Sequence, residues 1–89
     1  MLELIRSLGF TNKIFKYNDI DPVKLNPKKT GNKIKELRIK NGYSQYTLAY
    51  RIRISRQAVS KWERGVGVPS RETLLKLSKL FKISINDLL

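Results

Sequence analysis

Beyond residue 31, apolar residues recur at spacings of three and four, the period of a helix buried along one face. Leu48, Ala49 and Ile52 follow Ser44; Ala58, Val59 and Trp62 follow Ser55. Leu74, Leu77, Leu80 and Phe81 follow Ser70, and Ile85, Leu88 and Leu89 follow Ser84. An earlier run, Asn32 to Asn41, sets Ile34 and Leu37 on one face. Each serine stands where its hydroxyl can accept from a free N–H of a helix's first turn. Ser84 with Asp87 three residues on has the form of a weak capping box. Stops fall at Asn41-Gly42, a left-handed cap, and at Gly65, while Pro69 precedes the cap at Ser70. The pattern predicts five short helices joined by tight turns, an all-α bundle over residues 32–89, and requires no strand.

Residues 1–31 read differently and are expected to form an N-terminal extension. They hold Pro22 and Pro27, scattered Asn and Asp, and no long periodic stretch. Met1 to Leu8 can form two helical turns with Leu4, Ile5 and Leu8 together and Gly9 as a stop. Thr11 to Ile20 alternates Ile14/Lys16 with Phe15/Tyr17, a weak strand signal. Phe10, Phe15 and Tyr17 are too many aromatics for an idle tail. An extension packed on the bundle, an element swapped between subunits, and an arm that binds another protein all fit.

Charge sharpens the picture. The 89 residues carry 19 Lys+Arg against 7 Asp+Glu, a formal net charge of +12. Residues 1–31 supply six basic and three acidic residues (+3), and residues 32–89 thirteen and four (+9). So strong a positive excess points to a polyanionic partner, nucleic acid first. There is no His and no Cys, which removes the commonest general base, a thiolate nucleophile and any Cys-ligated metal centre. Asp19 and Asp21 lack a third ligand nearby, and Gly65-Val66-Gly67 lacks the Lys-Ser/Thr ending of a phosphate loop. The chain reads as non-catalytic, with no metal and no cofactor. No apolar run reaches the roughly 18–20 residues of a membrane span, and Met1 to Phe10 lacks the basic leader of a secretory signal. A cytoplasmic location is expected.

Only Arg53 and Ile54 separate the helix after Ser44 from the helix starting at Ser55, so the two must cross sharply as a helix-turn-helix. The second helix then lies exposed, able to enter the DNA major groove. Val59 and Trp62 point inward; Arg56, Gln57, Ser60 and Lys61 share the outer face. Arg and Lys suit guanine edges and Gln suits adenine. Trp62, spaced with Val59, reads as core rather than as a base-stacking platform. Five basic residues and one acidic lie between Ser44 and Gly65, which favours phosphate contact over a merely solvated face.

Residues 34–89 resemble the phage repressor and Cro type of helix-turn-helix domain, also called the xenobiotic-response-element type. The resemblance rests on Leu37-Arg38, Ser44-Gln45, Leu48-Ala49, Ile54-Ser55, Val59-Ser60, Trp62-Glu63-Arg64-Gly65, Pro69-Ser70, Leu74, Leu77 and Ile83-Ser84-Ile85-Asn86-Asp87-Leu88. It implies a lambda-repressor-like bundle that binds double-stranded DNA. Arg56, Gln57, Ser60 and Lys61 would read bases. Gln45 would bind a phosphate and buttress the recognition helix, with Ser55, Arg53 and Arg64 as further phosphate contacts. Arg38 and Glu63 would form a partly buried ion pair. Two positions depart from the pattern: Arg53 and Lys82 stand where the family usually has Gly.

Leu75, Leu80, Ile85 and Leu89 exceed what so small a bundle can bury, and mark a homodimer contact. Two function classes follow. One is a dimeric transcriptional repressor reading the major groove with residues 55–64. The alternative is the antitoxin of a toxin–antitoxin pair, whose arm at residues 1–31 binds a toxin while the helical domain autoregulates.

Overall fold

Every helix opens on a polar side chain that takes over a free N–H of its first turn. The fold is a computed structural model that describes residues 25–89. It comprises α1 (Pro27–Lys40), α2 (Gln45–Ile52), α3 (Arg56–Glu63), α4 (Arg71–Phe81) and a closing 3₁₀ turn, Ile85–Leu88, with no strand among the described residues. Asn26, Ser44, Ser55 and Ser70 accept from the backbone N–H of Lys29, Thr47, Ala58 and Thr73. The four α-helices also end alike, each on a left-handed residue with the 6→1 bond of a Schellman motif. Gly42 and Gly65 fill that position after α1 and α3, at φ 74° and 73°. After α2 and α4 it is filled by Arg53 and Lys82, at φ 59° and 56°. The following amides, Tyr43, Ile54, Val66 and Ile83, bond back to the carbonyls of Arg38, Ala49, Lys61 and Ser78 at 2.9–3.0 Å.

Two expectations are corrected. The first helix starts at Pro27, not Asn32: proline suits a first helical position, where no N–H is needed, and Asn26 Oδ1 accepts from Lys29 at 3.1 Å. Residues 27–31 therefore belong to the bundle. The fifth helix is only a 3₁₀ turn, so the capping box at Ser84 does not form; the Ser84 hydroxyl accepts from the Asn86 amide, not from Asp87. The readings of a helix over Met1 to Leu8, a strand over Thr11 to Ile20 and a protein-binding arm fall on residues 1–24, outside the described residues.

The core is one cluster from all five elements: Ile34 and Leu37, Leu48, Ala49 and Ile52, Val59 and Trp62, Leu74, Leu77 and Phe81, Ile85 and Leu88. Gly31 sets the approach of α1 to α3. A β-carbon there would lie 1.8 Å from the Trp62 carbonyl oxygen, far inside van der Waals contact. The first turn of α1 meets the end of α3 the same way, Lys28 Cα lying 3.4 Å from where a Gly65 β-carbon would be.

Candidate nucleic-acid interface

The inner face of α3 is locked by packing, which leaves its outer face free to be read. Val59 is fully buried and Trp62 nearly so. Arg56, Gln57 and Lys61 are exposed, and Ser60 is half-buried with its hydroxyl accepting from Arg64 Nε at 3.4 Å. The four expected base readers thus share one helix face, three of them unobstructed.

A polar network holds α3 at both ends. Arg38 grips Glu63 with two parallel bonds, Nε to Oε2 at 2.6 Å and Nη2 to Oε1 at 3.0 Å. Its third nitrogen, Nη1, donates to the Tyr43 carbonyl at 2.9 Å. The side chains of Arg38 and Glu63 keep 13% and 4% exposure, which is the partly buried ion pair expected. Gln45 adds the link between helices: its Nε2 donates to Glu63 Oε1 at 3.0 Å, and its Oε1 lies a long 3.5 Å from Arg56 Nη1. One amide at the start of α2 therefore touches the last residue of α3 and the first. Charge-assisted, bidentate bonds of this kind fix orientation as well as energy.

The remaining expected contacts separate in space. Ser55 caps α3 and is exposed, and Arg64 stands exposed just after it. Arg53 lines a cleft with Arg51, Lys76 and Lys79. Of the dimer candidates, Leu75 is 38% exposed, and Leu80 and Leu89 are half-buried against the core. Ile85 is corrected: at 6% exposure it is core, because the 3₁₀ turn points it inward with Leu88. Tyr46 and Tyr50 stand 68% and 76% exposed on α2, and their i, i+4 spacing opposite Leu48 and Ile52 is the signal in the sequence that places them outward. Gly31 carries no such signal, since a glycine inside a helix reads as a break.

No group of three or more metal-ligating side chains occurs among the described residues, and none of their helices is long and apolar enough to cross a membrane.

Comparison with known proteins agrees with this geometry. A helix-turn-helix family model matches residues 34–88. The chain is 42% identical over 57 residues to the HTH-type transcriptional activator BcrR of Enterococcus faecalis, covering 64% of this chain and 28% of BcrR. It is 43% identical to the HTH-type transcriptional regulator YgzD of Bacillus subtilis, covering 63% of this chain and 85% of that protein. It is 41% identical to the regulator ImmR of the same organism, covering 66% and 46%. The matched segment is thus a small part of BcrR and under half of ImmR. Among solved structures, the restriction-modification controller protein C.AhdI from Aeromonas hydrophila superposes with a TM-score of 0.65 at 35% identity, covering 71% of this chain and 96% of that one. From the capped helices to the Arg38–Glu63 pair behind α3, the chain belongs to the helix-turn-helix family of DNA-binding transcription regulators.

Proposed function

We propose that the protein is a dimeric repressor that reads a two-fold operator in double-stranded DNA with α3. The observation that carries this reading is the division of α3 into a locked inner face and an outer face of Arg56, Gln57 and Lys61. A helix held at both ends presents its side chains to base edges with its backbone already in place, leaving only side-chain ordering to be met on binding. Ser55, Gln45 and Arg64 lie beside that face and serve as phosphate contacts that set register. Exposed Leu75, with half-buried Leu89, supports a two-fold contact between copies. Occupying a promoter is enough to block its use, so repression asks nothing beyond DNA binding. The similarity to named transcription regulators supports the DNA partner, BcrR being an activator.

Titration of Gln57→Ala and Lys61→Ala against a panel of single-base operator variants tests base reading. Each replacement is expected to cost about 1–3 kcal/mol at one base pair and to relax discrimination there. Uniform weakening across the panel would remove these residues from base reading.

A further inference from the structure

A second basic surface lies on the other flank of α2. Helix α2 packs against α3 on one side and α4 on the other. Where α2 ends against α4, an open cleft of about 310 Å³ is lined by Arg51, Ile52, Arg53, Lys76, Lys79 and Leu80. Four of the six are cations, none is a carboxylate, and Ile52 and Leu80 supply apolar ground between them. Tyr50, 76% exposed, stands at the adjoining edge with Arg51 and Arg53. Among the described carboxylates, Glu63 is held by Arg38, Glu36 and Asp87 line a different cleft at the start of α1, and Glu72 stands exposed in the first turn of α4, four residues before Lys76.

We propose that this α2–α4 cleft is a docking site for an acidic protein segment that carries an apolar anchor side chain. Charge complementarity selects the partner: four cations around an apolar floor match carboxylates flanking a Leu or Phe, and Tyr with Arg is the composition enriched where interface energy concentrates. The helix dipole favours cations near a C-terminus, and Lys76 Nζ donates to the Ile52 carbonyl at 3.3 Å. Arg53, the C-cap of α2, shares in the dipole effect. The same left-handed position is filled without strain by Gly42 and Gly65 after α1 and α3, so the arginine is kept against a conformational cost. Its charge, at the end of α2 and at the mouth of the cleft, offsets part of that cost. The cleft does not depend on the reading of α3 as a DNA reader.

Backbone-amide NMR of the full chain tests the proposal, with a short synthetic peptide of Asp and Glu around a central Leu-Phe pair as probe. Amides of Arg51 to Ile54 and Lys76 to Leu80 are expected to shift together. Lys79→Glu is expected to weaken the peptide about fivefold, the weight of one exposed charge pair. Arg53→Gly is expected to raise the melting temperature while weakening the peptide. A purely structural Arg53 would not couple higher stability to poorer binding. Four outcomes would overturn the proposal: no binding, peptide shifts centred on α3, cleft shifts that grow with protein concentration alone, or the same cleft shifts on adding short duplex DNA in place of the peptide, which assigns the cleft to DNA phosphates.

Discussion

A methyl group on Gly31 would collide with the Trp62 carbonyl oxygen at 1.8 Å, an oxygen that also accepts the Gly65 amide closing α3. The backbone cannot yield there without moving α3. Gly31→Ala is therefore expected to destabilise by about 1–3 kcal/mol, the range for overpacking, even though alanine is the better helix former. Chemical denaturation measures it; a stabilised variant would mean that α1 and α3 do not touch at this point. Lys82 is the opposite case. At φ 56° it holds a left-handed backbone with an exposed side chain, so Lys82→Gly should stabilise by about 1 kcal/mol. An unchanged or lowered melting temperature would show that the lysine side chain repays the strain.

The helices show why sequence served some features and not others. Four serines, each ahead of an apolar run, marked the starts of α2, α3, α4 and the last turn, because a cap and a periodic face are both local. Arg38, Glu63 and Gln45 were placed through resemblance; no local pattern shows that residues 38 and 63 meet. The start of α1 was lost for a physical reason. Pro27 and Gly31 read as breaks, whereas one occupies a position that needs no N–H and the other a crossing that tolerates no side chain. Ile85 was misplaced because a 3₁₀ turn rotates its side chains differently from the α-helix assumed for it. At this scale the Gln45 amide, bonded to Glu63 and close to Arg56, connects α2 with both ends of α3. Gln45→Ala should weaken every DNA sequence about equally, while Gln57→Ala weakens a subset. A base-selective effect of Gln45→Ala in the same panel would contradict its role as support and phosphate contact.

For the whole molecule, the charge of +12 guarantees attraction to any DNA at low salt, so affinity alone is not evidence of recognition. In the proposed reading the geometry of α3 is repeated with two-fold symmetry, through the apolar surface at Leu75 and Leu89. The most direct test is a protection footprint on the DNA upstream of the protein's own gene, at about 150 mM salt, where nonspecific charge binding is suppressed. Two protected half-sites about one helical turn, ~34 Å, apart are predicted. Protection no stronger than on scrambled DNA of the same composition would contradict a two-fold, sequence-reading regulator.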